Sequence, residues 1–131
     1  MKKPVILDTS ILMRVAETGL PLFHELDRLL HGAYRPIVLR KTVKELESLL
    51  NVKKKRLKAK LALELIRRKC EIVEEDFPGY GDDLIIEAAK KLNAYVATAD
   101  SNLKKRLLRE GIPVIYVRDY KSLELAGEDV W

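Results

Sequence analysis

The chain has 131 residues, 34 % of them charged and 47 % apolar, with a formal net charge of +5 and a single cysteine. That is the size of one ordinary domain, long enough to bury a core without disulfides or a structural metal. Cys70 alone excludes an intramolecular disulfide and a cysteine zinc site, and no apolar run approaches the roughly 20 residues that span a bilayer.

In chain order, Met1, Lys2 and Lys3 lead directly into an apolar, β-branched run over 4–7 that reads as a buried strand rather than a signal peptide, so a cytoplasmic location is expected. Asp8, Thr9 and Ser10 are candidate N-caps for a helix through Ile11, Leu12 and Val15 that ends near Gly19. Pro21 suits the first turn of a second helix, with Leu22, Phe23, Leu26, Leu29 and Leu30 at helical spacing and Gly32 closing it. Residues 36–39 read as a short strand. Thr42 is expected to cap the next helix, forming a capping box with Glu45, with Val43, Leu46, Leu49 and Leu50 as its apolar stripe. A longer helix over 53–69 is expected to turn Leu57, Leu61 and Leu65, with the neighbouring Ala62 and Ile66, inward and to leave its basic residues outside.

Cys70, at the end of that helix, reads as a small buried hydrophobe. A strand over 71–74 and a loop over 77–81 precede a helix over 82–92. Another strand covers 94–98, Asp100 or Ser101 caps a helix running to Gly111, and 113–117 forms the last strand. Residues 118–131 remain as an unpatterned C-terminal tail, whose Trp131 is expected to pack on something. Strands alternating with helices imply one α/β domain over 1–131, a three-layer α/β/α arrangement around a central parallel sheet.

The chemistry follows from where the acids fall. In open α/β sheets, ligands collect outside the carboxyl ends of the strands. Asp8 and Asp100 each follow a strand, and Asp82 opens a helix. Counted from Asp82, Ile85, Ile86, Ala89 and Leu92 lie on its own face, which makes Asp82 the inward acid and leaves Asp83 as a supporting residue at the helix start. Glu45 borders the apolar stripe of its helix. Each acid also has a structural role open to it, as a cap or a dipole partner. Those roles do not account for several carboxylates at one sheet edge, which would raise one another's pKa unless a cation neutralised them.

Oxygen donors alone select Mg²⁺ or Mn²⁺, hard ions that keep several waters beside one or two carboxylates and a phosphate oxygen. The charge distribution supplies the rest. Between Arg40 and Lys69 lie twelve basic residues and three acidic ones, a net +9, so the remainder carries −4. A basic segment beside carboxylates suits a polyanion, and Arg40, Lys41, Lys44, Lys53, Lys54, Lys55 and Arg56 are the candidates to hold a nucleic-acid backbone. His24 and His31 read as surface or packing residues. A haloacid-dehalogenase site would need an acid where Ser10 stands, a dinucleotide fold a glycine-rich turn after the first strand, and a receiver domain has no use for the basic segment.

Ile6, Leu7, Asp8, Thr9, Ser10; Val43, Lys44, Glu45, Leu46; Asp82, Asp83, Leu84, Ile85, Ile86; and Val96, Ala97, Thr98, Ala99, Asp100 resemble, in order, the four acidic motifs of PIN-domain ribonucleases. The resemblance covers nearly the whole chain. It implies that Asp8, Glu45, Asp82 and Asp100 are the metal-binding catalytic acids, that Ser10 and Thr98 support them, and that RNA is hydrolysed to leave a 5′-phosphate and a 3′-hydroxyl. Ser101 and Asn102 stand where the family often has a further acid or Asn, so no fifth acidic ligand is expected.

Two branches of the family are similar to this chain. One holds the VapC-type toxin ribonucleases of toxin-antitoxin pairs, which implies an antitoxin partner. The other holds the archaeal and eukaryotic endonuclease that matures small-subunit ribosomal RNA, which implies a ribosome-assembly factor, and the doubled Asp82, Asp83 and the Leu103 to Arg106 stretch look closer to it. The family also implies a homodimer. The alternative outside catalysis is a PIN-like scaffold that binds RNA or a protein partner.

Overall fold

The computed structural model describes residues 2–128. In chain order they form β1 (Lys3–Leu7), α1 (Thr9–Thr18), α2 (Leu22–Leu30), β2 (Tyr34–Leu39), α3 (Arg40–Leu49), α4 (Arg56–Lys69), β3 (Glu71–Val73), α5 (Gly81–Leu92), β4 (Tyr95–Thr98), α6 (Ser101–Arg109), β5 (Val114–Val117) and β6 (Leu123–Ala126). The strands make one sheet in the order β3-β2-β1-β4-β5-β6. The first five run parallel, with Val5 opposite Pro36 and Tyr95, and β6 closes the far edge antiparallel to β5.

Alternation along the strands builds the layers. Val5 and Leu7 point into a core shared with α1, α2, α3 and α4, whereas Ile6 points into a second core beneath α5 and α6. A strand buried on both faces needs a continuous apolar run, which is what 4–7 supplies. The three-layer α/β expectation holds, with a mixed sheet in place of a wholly parallel one.

Four local expectations are corrected. Residues 123–126 form β6, inside what reads as an unpatterned tail, while Trp131 lies outside the described residues. Thr42 is buried inside α3 rather than capping it, because the chain passes from Leu39 at the end of β2 straight into helix at Arg40; Glu45 therefore sits in the second turn and forms no capping box. α4 begins at Arg56 rather than at 53. Its buried face holds Ala62 and Ile66 as expected, with Ala59 beside them, whereas Leu57 is 69 % and Leu61 51 % exposed and Leu65 is half-buried. Small residues let α4 approach α1 and α3 closely, and this fixes its rotation. Ile66→Ala is accordingly expected to cost about 2–4 kcal/mol in denaturant unfolding, and Leu57→Ala less than about 0.5 kcal/mol; a leucine-inward helix would reverse that order.

β6 is held by a polar clamp. Glu25 of α2, a buried acid, accepts the Leu123 N–H (2.9 Å) and both arms of Arg28 (2.9 and 3.0 Å), while Arg28 also donates to the Leu123 carbonyl (2.8 Å). Cys70 is half-buried against the α1–α4 core, and burial pushes its thiol up to about 12, so it stays protonated as a packing residue. His24 and His31 are both exposed, and His31 ends α2 in a left-handed conformation.

Candidate active site

Sheet order reverses beside β1: the chain moves outward through β2 and β3, then returns on the other side of β1 as β4. The helices leaving these two strands diverge, α1 to one face and α6 to the other, and a crevice opens at the strands' carboxyl ends. Asp8 leaves β1 there and Asp100 leaves β4.

Asp8 is only 5 % exposed, and its contacts come from the turn that follows it and from β4. Its extended backbone makes it the N-cap of α1, so that Oδ1 accepts the Ile11 N–H (2.9 Å) and the Ser10 hydroxyl (2.7 Å). Oδ2 accepts the Thr98 hydroxyl from β4. Because both hydroxyl protons go to Asp8, the two oxygens act as acceptors elsewhere: Ser10 Oγ from the Ala99 N–H (2.9 Å) and Thr98 Oγ1 from the Asp100 N–H (3.0 Å). The exits of β1 and β4 are thereby locked to each other through one carboxylate. Burial raises the Asp8 pKa, the three donors oppose that rise, and the nearby charge of Asp100 adds to it.

Asp100, rather than Ser101, caps α6, with Oδ1 accepting from the N–H groups of Asn102 (2.8 Å) and Leu103 (3.2 Å); the residue itself is exposed. Asp82 and Asp83 lie in the first turn of α5, which reaches the same edge because its far end leads into the start of β4. Asp82 is half-buried, while Asp83 is exposed and ion-paired to Arg106 of α6. Glu45 is exposed and paired to Lys41 (3.0 Å), and Lys41 also donates to the Gly81 carbonyl (3.4 Å), which ties the first turn of α3 to the start of α5.

The structure thus brings Asp8 and Asp100 to the lips of one crevice and sets Asp82 and Glu45 around them, but it does not draw the four into one closed group. Among the described residues no three Asp, Glu, His or Cys side chains stand together as a metal-holding cluster. The donor chemistry still fits a hard divalent ion, which takes only one or two carboxylates directly and fills its remaining positions with water. The buried Asp8 carboxylate, disfavoured by its surroundings as an anion, is the donor with most to gain from such a charge.

The basic candidates fall into two groups. Arg40, Lys41 and Lys44 stand in the first turns of α3, directly after β2, at the acidic edge. Lys53, Lys54 and Lys55 occupy the turn beyond α3 and Arg56 opens α4, donating to the Leu50 carbonyl (2.8 Å), about 15 Å of helix away from Arg40.

Two cations at the edge carry no signal in the sequence. Leu103 and Leu107 fix the buried face of α6 and leave Arg106 at its border, yet nothing local says that it meets Asp83 of α5, packed on the same face of the sheet. Lys104 lies over the Tyr116 ring, 3.5 Å from its centroid, beside Asp100.

Comparison with known proteins identifies the family of the fold. A PIN-like domain family matches residues 5–120. Ribonuclease VapC4 of Methanocaldococcus jannaschii is 32 % identical over 126 residues, covering 94 % of this chain and 96 % of the relative. Ribonuclease VapC9 of Archaeoglobus fulgidus is 31 % identical over 120 residues, 90 % of this chain and 85 % of the relative. Among solved structures, the PIN domain endonuclease Utp24 superposes with a TM-score of 0.76 at 26 % identity, covering 98 % of this chain and 95 % of that one. A domain of a functionally unknown Methanocaldococcus jannaschii protein shares the fold, with a TM-score of 0.67 at 21 % identity and 98 % and 96 % coverage. A buried aspartate at the switch point, acids around it in the expected order and relatives along the whole length lead to one conclusion: the chain belongs to the PIN-domain family.

Proposed function

We propose that this protein is a Mg²⁺- or Mn²⁺-dependent endoribonuclease that hydrolyses RNA phosphodiester bonds at the crevice between β1 and β4. The observation that carries the reading is Asp8, a carboxylate buried at a strand exit with three donors aimed at it and Asp100 across the crevice. Asp8, Asp82 and Asp100 would hold the ion, directly or through water, and Glu45 would hold it or orient the attacking water. The bound ion supplies an activated water at neutral pH and neutralises charge growing on the phosphate. Ser10 and Thr98 keep Asp8 fixed, and their hydroxyl donors oppose the rise in its pKa that burial causes. Arg40, Lys41 and Lys44 draw the RNA backbone toward the acids, with Lys53, Lys54, Lys55 and Arg56 as a second, more distant anchor.

The names of the two VapC relatives favour the toxin branch, with an antitoxin as partner, over ribosomal RNA maturation and an assembly factor; the likeness to Utp24 keeps the second branch as the alternative. Among the described residues no helix is long and apolar enough to cross a membrane, which accords with work in the cytoplasm.

The test is RNA cleavage against a titration of Mg²⁺ and Mn²⁺. Activity is expected only with the ion, to vanish in chelator, and to leave 5′-phosphate ends. Cleavage that persists in chelator, or products ending in cyclic phosphate, would overturn the scheme. A failure to cleave at any ion concentration would leave the binding scaffold in its place.

A further inference from the structure

Two tyrosine rings stand open on the same edge as the acids. Tyr80 is 91 % exposed and Tyr120 75 %, and neither joins either hydrophobic core. Tyr80 immediately precedes α5, at the end tied to α3 through Lys41 and Gly81. Tyr120 lies in the hairpin between β5 and β6, closed by the Arg118 N–H to the Ser122 carbonyl (2.9 Å). Because β5 runs parallel to β1 and β4, that hairpin rises from the same edge of the sheet.

The order along the edge is therefore Tyr80 near the exit of β2, then Asp8, then Asp100, then Tyr120 beyond β5. Three strand intervals separate β2 from β5, a span of about 15 Å. Cations accompany each ring: Lys41 reaches the Gly81 carbonyl next to Tyr80, and Lys121 follows Tyr120 in the chain. The turn carrying Tyr80 is also constrained: Gly79 has φ +95°, and a Cβ there would come within 3.2 Å of the Asp83 Cβ, so the backbone presents the ring only with glycine at that position.

Exposed aromatics spaced along a basic edge have a specific chemistry. Bases stack on such rings when they are free of a duplex, and nearby cations track the phosphates between them. A duplex keeps its base faces covered and gains nothing from the rings. We infer that Tyr80 and Tyr120 are two stacking platforms flanking the acidic crevice, each seating an unpaired base on one side of the scissile phosphate. The inference rests on the nuclease reading for its substrate but concerns binding.

The test uses the full chain in chelator, with fluorescence anisotropy of a labelled single-stranded RNA, a duplex of the same sequence, and an abasic strand of equal length. Tyr80→Ala and Tyr120→Ala are each expected to weaken binding of the single strand by between about fivefold and a hundredfold. The abasic strand is expected to bind wild type and both variants alike, and Tyr→Phe at either position to restore affinity. Unchanged affinity in both alanine variants, equal binding of the abasic strand and the natural one by wild type, or preference for the duplex would each overturn the inference. Parallel Mg²⁺ assays separate the two claims: metal-dependent cleavage with tyrosine-independent binding removes the platforms alone, whereas tyrosine-dependent binding without cleavage removes the nuclease alone.

Discussion

Asp8→Asn is expected to abolish metal-dependent RNA cleavage, a loss of about a thousandfold or more, and to leave the metal-free protein at least as stable as the wild type. The two halves have one cause. Asn caps a helix as well as Asp does, so its Oδ1 can still accept the Ile11 N–H and the Ser10 hydroxyl. What disappears is a charge that burial and the neighbouring Asp100 both disfavour. An ion at the crevice is worth several kcal/mol of transition-state stabilisation, and each 1.36 kcal/mol is tenfold in rate. Melting with and without Mg²⁺ makes the separation visible: wild type should gain stability with the ion and Asp8→Asn should not. A structural cap alone would give the opposite result, with cleavage retained and no response to the ion in either protein.

Such a trade of stability for function marks sites where local rules are broken on purpose, and it explains what the sequence made legible. Asp8 stands out because a buried strand has no reason to end in an acid, and its companions can be ordered because helical spacing is geometry. Asp82 against Asp83 is decided by counting faces, and the structure does leave Asp82 half-buried and Asp83 exposed. The sheet follows from alternation of short apolar runs with helices for the same reason. What spacing cannot show is which of two apolar stripes a helix buries. In α4, Leu57 and Leu61 compete with Ala59 for the place beside Ala62 and Ile66, and the outcome depends on how closely α1 and α3 approach. Nor can spacing show a partner far along the chain. Arg106 meets Asp83 across 23 positions, and β6 forms only because β5 and α2 are already in place.

That dependence of β6 on α2 gives the second large effect expected: Glu25→Gln or Glu25→Ala should destabilise the fold by about 2 kcal/mol, the scale of hydrogen bonds to a charged group. Glu25 bonds to Arg28 and Leu123 and to none of the crevice acids, so cleavage at permissive temperature should persist. The Arg28 guanidinium, followed by the Leu123 N–H, holds the Glu25 carboxyl down at about 2, against an ordinary value of 4.5. A carboxyl lowered by folding contributes its stability in full above its unfolded pKa and loses it as pH falls toward the folded one. The gap between wild type and Glu25→Gln in urea unfolding should therefore be constant near neutral pH, shrink from about pH 4.5 downward, and close near pH 2. Comparing the two proteins at each pH cancels the other acids that titrate in the same window. A gap that stays constant down to pH 3 would mean that packing of α2 rather than the ionised clamp secures β6. A gap that closes would make the contact between β6 and α2 acid-labile, since its polar part runs through Arg28 and Leu123 to this one carboxylate.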